Sequence, residues 1–411
     1  MRFCYFVLGV SALLSYAFSP PRVTFWGLNP GGESHTILER RRGCRTMIQY
    51  PDYQDGLANL ACSVLKHYAL PTGHKTVPDV DELLMKNPGH VVVLLLDGMG
   101  WTALEELLPE DSFLRQKALR SISSVFPPTT TAATTSLNSG LTPVEHGWLG
   151  WSLYFKETDD IVNIFPNTLH YGEHGPAAPI HLAQKHLPYE SVIGRLRAAG
   201  LTAHSVSPFG TYPIETLEEL VEGVAALTKA GTDYIYAYWP QPDSVMHHTG
   251  SASRKTRSWM KRLDAMVRNL AERLTDTLLI VTADHGHRDN RYAYITDHPN
   301  IARTLVRPPS LEDRALAFHV RTDRQEAFQQ AFLAAFGEKF LLYPSGRALD
   351  EGLFGDGMPH PRVPGFLGDF LAIATGDLAL AYDRSCHLFL SNHAGLTDRE
   401  MAVPLIAVEC P

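Results

Sequence analysis

Cysteine is scarce in this chain of 411 residues, and its five cysteines form no framework. They are odd in number, widely spaced and without a Cys-x-x-Cys pair; they are Cys4, Cys44, Cys62, Cys386 and Cys410. A disulfide-stapled fold and a cysteine zinc site both need clustered cysteines. Any metal site must therefore be built from carboxylates and from some of the 19 histidines.

The chain also lacks an excess of positive charge. It has 44 acidic residues against 36 Lys and Arg, a formal net charge of −8, and its longest run of one sign is the three arginines at 40–42. Nucleic-acid binding normally needs a basic patch, so the partner is expected to be a small molecule. With 45% hydrophobic residues, a chain of this length can bury one large core with a smaller inserted unit. No sequence signal indicates the oligomeric state.

The amino terminus contains an apolar run that is too short to predict a stable membrane span. Residues 1–20 combine one basic residue, this run and small residues, which is the outline of a signal peptide. Residues 20–46 show no steady periodicity, whereas a helical apolar pattern begins after Met47. We interpret residues 1–46 as a signal peptide or as an incorrectly assigned translation start, followed by one domain at 47–411. An enzyme that starts at Met47 is expected in the cytoplasm, and one with a working signal peptide is expected to be exported.

Three short apolar runs end close to acidic residues and predict buried strands. They are the runs at 91–96, 234–239 and 278–283, which lead to Asp97, Asp243 and Asp284. Helical patterns lie between them, which predicts an α/β fold with a mainly parallel central sheet and helices on both faces. Because ligands of such sheets bind beyond the carboxyl ends of the strands, the three carboxylates are expected at one site.

Histidines accompany these acids. His247 follows the second acid by four residues, His285 follows the third directly, and His393 lies in a late loop. A single Asp after a strand is commonly a turn former or a helix cap. Several carboxylates in one crevice, however, repel each other unless a cation or protons compensate, and mixed Asp and His ligands suit zinc or a similar ion. The set predicts a metal centre, which two ions fit better than one.

A segment rich in hydroxyl groups follows the first of these strands. After Pro127 and Pro128, residues 129–136 read TTTAATTS. The proline pair favours an extended entry, and a threonine could then cap the start of a helix. Capping needs only one hydroxyl, so the others need a second explanation.

The order of these motifs resembles the alkaline phosphatase superfamily, and within it the type I phosphodiesterase/nucleotide pyrophosphatase family. The motifs are LLLDGMG, SVFPPTTTAATTSLNSGLTPVEHG, PDSVMHHTG, VTADHGH and NHAG, and they extend from about Val91 to the end. The resemblance implies an alkaline phosphatase-like catalytic domain with two zinc ions at the carboxyl edge of the sheet. It also implies cap insertions, for which the irregular segments around 151–230 and 301–385 are the candidates.

The resemblance further implies a nucleophile and two sets of metal ligands. One set would be Asp97, Thr130, Asp284 and His285, and the other Asp243, His247 and His393. The nucleophile position corresponds to Thr130, a threonine at a helix start that attacks phosphorus. Thr129 and Thr131 are the alternatives because the extra threonine leaves the register open, and the remaining hydroxyls are expected to shape or cap the helix.

Two further histidines, His248 and His287, lie close to these motif residues in the sequence. His248 could exchange roles with His247, although the family's spacing favours His247. His287 is expected near the metal ligands or at the surface rather than on a metal.

The resemblance implies a metal-dependent hydrolase of phosphoric esters, preferably a phosphodiesterase or nucleotide pyrophosphatase that works through a phosphothreonine intermediate. A phosphomonoesterase, a phosphomutase or a phosphonate hydrolase on the same fold is the alternative, and a non-catalytic metal-binding protein is a further one. A monoesterase is expected to bind the extra phosphate charge with a guanidinium, and none of the five motifs contains Arg. The substrate is expected to be a small phosphoester, with nucleotides among the candidates, and the sequence leaves diester against monoester preference open.

We predict that protein made from its native gene begins at Met47, because the regular apolar pattern of the domain begins only after it. Mass spectrometry of the intact protein should give the mass of residues 47–411. A chain that retains residues 20–46 would contradict this interpretation.

Overall fold

The computed structural model describes residues 47–411, and the predictions for residues 1–46 lie outside this range. The α-helices are α1 (Leu57–His67), α2 (Pro78–Leu84), α3 (Trp101–Leu107), α4 (Phe113–Lys117), α5 (Thr130–Ser139), α6 (Pro143–His146), α7 (Leu182–His186), α8 (Val192–Ala198), α9 (Leu217–Lys229), α10 (Asp243–Thr249), α11 (Arg254–Arg273), α12 (Pro299–Ala302), α13 (Gln325–Phe336), α14 (Ser345–Asp350), α15 (Val363–Leu367) and α16 (Asp398–Met401). Among the described residues, no helix has both the length and the apolar character needed to span a bilayer.

The strands form two large sheets and two small ones. They are β1 (His90–Leu96), β2 (Ala118–Ser123), β3 (Ser152–Phe155), β4 (Asp160–Asn163), β5 (Thr168–Leu169), β6 (Ala203–Ser207), β7 (Tyr212–Pro213), β8 (Tyr234–Trp239), β9 (Thr277–Thr282), β10 (Arg288–Asp289), β11 (Arg291–Tyr294), β12 (Ser310–Glu312), β13 (Ala315–Phe318), β14 (Phe340–Pro344), β15 (Phe370–Ala374), β16 (Leu378–Ala381), β17 (Ser391–Asn392) and β18 (Ala402–Cys410). Two 3-10 helices lie at Ile295–Asp297 and Thr322–Arg324.

The central sheet has the strand order β2-β18-β9-β1-β8-β6-β7. Strand β1 pairs in parallel with β8 and β9, β6 pairs in parallel with β7 and β8, and β18 runs antiparallel to both of its neighbours, β2 and β9. Helix α1 packs against α2, α5 and α8, while α11 packs against α3, α4 and α9. The predicted α/β fold, a mainly parallel sheet between helices, is confirmed.

The register of the central strands brings their carboxyl ends to one edge. Leu96 of β1 pairs with Trp239 of β8, and Leu95 pairs with Thr282 of β9. The residues of β1 after His90 are fully buried, because helices cover both faces of a parallel sheet. Asp97, Asp243 and Asp284, which follow β1, β8 and β9, therefore leave the sheet at neighbouring positions.

The second large sheet is antiparallel throughout, with the order β14-β15-β13-β12-β3-β4-β5. Alternate residues of β13 face different cores: Ala315 and Ala317 lie in the core shared with Phe126, while Leu316 and Phe318 pack with the phenylalanines of α13. Its strands lie between 152 and 169 and between 310 and 374, whereas residues 192–229 supply α8, β6 and α9 to the central layer. The limits of cap insertions, 151–230 and 301–385, remain a prediction.

A buried ion pair joins the second sheet to the loops at the edge of the central one. Arg314, in the turn between β12 and β13, and Glu400, in α16, are both completely buried. Arg314 donates from Nε to Oε1 of Glu400 at 2.6 Å and from Nη2 to Oε2 at 2.8 Å. Glu400 also accepts from the amide of Gly395 at 2.7 Å and the hydroxyl of Thr397 at 2.5 Å. The amide of Gly286 donates to the backbone oxygen of Glu400 at 2.8 Å, so this pair supports the loops on both sides.

Replacing Arg314 with Met should lower the free energy of unfolding by about 3–5 kcal/mol, because it leaves a buried carboxylate without its counterion. Urea denaturation measures this loss, and the double variant Arg314→Met/Glu400→Gln should recover part of it. Arg347→Ala, which breaks the exposed pair with Glu351, is the control and should leave the melting temperature unchanged. A loss for Arg314→Met as small as for this control would contradict the prediction.

Candidate active site

Two buried carboxylates and a histidine meet at the carboxyl edge of the central sheet. Asp97 follows β1, and Asp284 and His285 follow β9; one ligand atom from each lies within 4.8 Å of the others. Nε2 of His285 lies 3.5 Å from Oδ1 of Asp97 and 3.5 Å from Oδ2 of Asp284. These two carboxylate oxygens are buried and have no hydrogen-bond partner among the described residues. Orphaned oxygens facing an imidazole nitrogen fit a divalent cation.

The other oxygens of the same carboxylates are held by specific donors. Oδ2 of Asp97 accepts a hydrogen bond from the hydroxyl of Tyr238 at 2.5 Å, and Oδ1 of Asp284 accepts from the amides of Gly98 and His285, each at 3.0 Å. Gly98 has φ of 74°, and a Cβ there would lie 2.9 Å from Cα of Asp243, so this turn needs glycine. Each carboxylate is thus oriented with one oxygen left free.

A second cluster forms around the start of α10. Asp243 is the first residue of this helix and His247 lies one turn later, so both project on the same side. Nε2 of His247 lies 3.2 Å from Oδ1 of Asp243, and Nε2 of His393, which follows β17, lies 4.0 Å from it. The amide of Asp243 donates to the backbone oxygen of Asp97 at 2.9 Å, which ties the two clusters together.

The three histidines that the resemblance proposed as ligands are each oriented by a hydrogen bond between Nδ1 and a backbone oxygen. Nδ1 of His247 lies 2.7 Å from the backbone oxygen of Ser391, Nδ1 of His393 lies 3.1 Å from that of Pro128, and Nδ1 of His285 lies 3.2 Å from that of Gly286. A carbonyl can only accept, so the proton of each neutral ring is on Nδ1. When such a ring is neutral, its Nε2 carries the lone pair that a metal ligand requires.

The pKa shifts of residues in these two clusters also favour a cation at this site. Burial, together with Asp284 and Asp243, raises the pKa of Asp97 well above its usual value, so the fold disfavours this carboxylate in the absence of a cation. Burial and the nearby His285 and His247 hold the pKa of His393 well below normal, which keeps this ring neutral. Burial opposes ionisation of Asp243, but His247 and His287 outweigh it and hold the pKa of Asp243 well below normal.

The hydroxyl-rich segment forms α5 and the turn before it. Thr130 is the first residue of α5, and its Oγ1 lies 3.2 Å from Nε2 of His285, next to the first cluster. Thr131 is fully buried, and its hydroxyl has no partner among residues 47–411. Thr134 and Thr135 bond back to the carbonyls four residues earlier at 2.6 and 2.7 Å, which explains several of the remaining hydroxyls.

The expected capping role is wrong for the start of this helix. Thr129 occupies the cap position, but its side chain makes no cap hydrogen bond. Its hydroxyl instead donates to Oε1 of Glu312 at 2.5 Å. The residue at the cap position therefore supplies no side-chain acceptor to the positive end of α5 beside Thr130.

The structure brings all seven residues that the resemblance proposed into one connected site, and His287 also lies within reach of a shared ion with Asp243 and His285. His248 is exposed and donates from Nδ1 to its own helix at Ser244, 2.7 Å away, while His247 faces Asp243. His287 is buried rather than at the surface, and its Nε2 lies 2.7 Å from Oδ1 of Asp243. The roles of these residues remain proposals.

A cavity of about 570 Å³ opens between this site and the second sheet. Thr130, His247 and His393 line it, as do Glu312 of the second sheet and Trp151, which directly precedes β3. Burial raises the pKa of Glu312 to about 7. The space suits a small organic ligand whose reactive part rests against the clusters.

Sequence reasoning missed three polar residues that shape the site. Tyr238 lies inside an apolar run, so only its place next to the end of β8 could have indicated its contact with Asp97. Glu312 and Asp313 lie in a hairpin that no motif marks, and the partners of Glu312, Thr129 and Trp151, lie more than 150 positions earlier in the chain.

Comparisons with known proteins identify a family and similar folds. Residues 91–307 match the sequence model of a family described as type I phosphodiesterase / nucleotide pyrophosphatase. None of the curated proteins matches the chain. The fold is similar to murine ectonucleotide pyrophosphatase / phosphodiesterase 5 (ENPP5, NPP5), at 16% identity and a TM-score of 0.60, over 78% of this chain and 88% of that chain. The human form of that protein gives the same values. An inactive form of the murine protein in complex with AMP has a TM-score of 0.59, with 16% identity and the same coverage.

We expect the purified protein to bind two zinc ions per chain and Asp284→Asn to bind one, because only the first cluster loses a ligand. Without metal, this variant should melt at a higher temperature than the wild type, since it removes repulsion between buried carboxylates. Equilibrium dialysis with elemental analysis measures the stoichiometry, and thermal melting in EDTA measures stability. Asp111→Asn, at an exposed position, is the control. Two zinc ions in Asp284→Asn would remove this residue from the ligand set.

Proposed function

The chain belongs to the type I phosphodiesterase/nucleotide pyrophosphatase family and is a phosphoric ester hydrolase, and we propose that it cleaves phosphodiester or pyrophosphate bonds with two divalent metal ions and Thr130 as the nucleophile. The observation that carries this proposal is the convergence of the Thr130 hydroxyl, Nε2 of His285 and the two orphaned carboxylate oxygens of Asp97 and Asp284. Zn²⁺ is the metal that best suits such a mixed Asp and His ligand set.

Thr130 is the best supported of the three candidate nucleophiles. Its hydroxyl lies beside His285, in the cavity wall. The hydroxyl of Thr129 is engaged by Glu312, and Thr131 is buried away from the cavity. A hydroxyl at the first position of a helix also lies close to backbone N–H groups that favour phosphoryl oxygens.

The ligands divide between two ions. Asp97, Asp284 and His285 would hold one next to Thr130, and Asp243, His247 and His393 would hold the other. Bound there, the ions would lower the pKa of a hydroxyl or water and neutralise the charge of phosphoryl oxygens. Tyr238 and His287 do not need to bind a metal in this scheme, because they position the oxygens of Asp97 and Asp243.

Two displacements at phosphorus complete the proposed reaction. The oxygen of Thr130 forms a bond to phosphorus as its hydroxyl loses a proton, the bond to one ester oxygen breaks, and the departing alkoxide takes up one proton to leave as the alcohol. Water then attacks the phosphothreonine, which restores the threonine hydroxyl and releases the phosphate monoester. The helix start of α5 stays fixed throughout and donates to the phosphoryl oxygens in both steps.

A nucleotide is the leading substrate class. A fold neighbour of this chain, an inactive form of murine ectonucleotide pyrophosphatase / phosphodiesterase 5, is in complex with AMP. In this chain the cavity next to Thr130 is lined by Trp151, Tyr171, Tyr382 and Phe389. Aromatic side chains of this kind can pack against a nucleobase.

We predict that Thr130→Ala lowers kcat for bis(4-nitrophenyl) phosphate by about a thousandfold or more, because removing the nucleophile removes the covalent route. Zinc content and melting temperature should stay close to those of the wild type. The measurement is nitrophenol release by zinc-loaded protein that starts at Met47, with 4-nitrophenyl phosphate assayed alongside.

Thr131→Val is the matched control, because the hydroxyl it removes is buried and has no partner among the described residues. Acid quenching during turnover of a radiolabelled diester should trap label on the peptide containing residue 130. Unchanged activity in Thr130→Ala would overturn the assignment of the nucleophile. Phosphate retained on an organic product, instead of release to water, would favour a mutase.

A further inference from the structure

A carboxylate from the second sheet lies directly beside the helix start that carries Thr130. Glu312 is the last residue of β12, and its Oε1 accepts two hydrogen bonds, from the hydroxyl of Thr129 at 2.5 Å and from the backbone amide of Trp151 at 2.7 Å. Two donors on one oxygen fix the orientation of the group. The residue also lines the cavity above Thr130, so its charge faces the space that a substrate occupies.

Histidines apart, the charged side chains that line this cavity are all acidic. Among the described residues, three acids line it, Asp243, Glu312 and Asp313, and neither Lys nor Arg does. Asp243 belongs to the proposed metal ligands, and Asp313 accepts a hydrogen bond from the hydroxyl of Tyr292 at 2.7 Å. Of these three acids, Glu312 is the one that is hydrogen-bonded to Thr129, the residue directly before Thr130.

The acidic lining of the cavity should repel a phosphate monoester more strongly than a phosphodiester. A phosphodiester carries one negative charge, whereas a phosphate monoester is a dianion at alkaline pH, since its second pKa is about 6. The proposed metal ions and the start of α5 can compensate the charge that the two substrates share. The second charge of a monoester finds no guanidinium or ammonium group in the cavity lining and would be repelled by a fixed carboxylate.

We propose that Glu312 is a specificity-determining residue that disfavours dianionic phosphates and so makes this enzyme select phosphodiesters and release their monoester products. The inference rests on the proposed function, because it assumes that phosphorus is attacked at Thr130. It assigns substrate selection to a residue of the second sheet that takes no part in the bond-making steps.

The test is Glu312→Gln, which keeps an oxygen for both donors and removes the charge. Assays at about pH 9 keep both Glu312 and the monoester ionised. We expect kcat/KM for 4-nitrophenyl phosphate to rise about tenfold while that for bis(4-nitrophenyl) phosphate changes by less than about threefold. The inhibition constant of inorganic phosphate should fall by a similar factor of about ten, which measures binding independently of turnover.

Two controls isolate the charge at this position. Glu312→Asp retains the charge and should keep the preference for the diester. Glu338→Gln removes an exposed charge that does not line the cavity and should behave as the wild type. Thermal melting checks the fold, and Glu312→Ser is the second neutral variant if Gln disturbs it.

The outcomes separate the inference from the function on which it rests. If the wild type prefers the diester but Glu312→Gln changes both esters and phosphate inhibition equally, the role of Glu312 is wrong and the proposed function stands. If the zinc-loaded wild type releases nitrophenol only from the monoester, or from neither ester, the proposed function fails and the inference fails with it.

Discussion

Repulsion between buried carboxylates is the constraint on which this site depends. Three parallel strands end at one edge, and the acids that follow them lie close together; Asp97 and Asp284 are each held on one side by backbone or hydroxyl donors. Asp97 and Asp284 each present a buried oxygen without a partner, and His285 lies between them. A fold that keeps such an arrangement needs a compensating cation or proton. The proposed metal requirement therefore follows from the topology of the sheet and from the residues that end its strands.

The buried pair of Arg314 and Glu400 extends that constraint to the second sheet. Glu400 supports the loops that carry His285 and His393, through the amides of Gly286 and Gly395. Arg314 lies two residues after Glu312, in the same hairpin. The pair thus holds the cavity wall in register with the edge of the central sheet. A charged pair suits this place, because a bidentate contact fixes direction as well as distance.

The sequence was sufficient for the parts of the molecule that local patterns encode. Buried runs such as 91–96 predict strands because parallel strands are apolar on both faces, and the acid after each run then predicts the edge where ligands bind. The family resemblance, and not the local pattern, selected Thr130 from the neighbouring threonines as the predicted nucleophile. Tyr238, Glu312 and Arg314 could not be predicted, because each acts through a partner that is distant in sequence. An acid in a hairpin and a tyrosine in an apolar run carry no local sign of such a partner.

The two large sheets supply different groups to the site. The central edge supplies what every phosphoric ester needs, namely ligands for cations, a hydroxyl and the positive end of a helix. These groups respond to the phosphoryl oxygens and are largely indifferent to the rest of the substrate. Selection must then come from groups that meet the substrate's other charges, and in this chain those groups lie on the antiparallel sheet. Because an electrostatic penalty acts on charge rather than shape, a single acid such as Glu312 can separate two ester classes while the cavity remains open to leaving groups of different form.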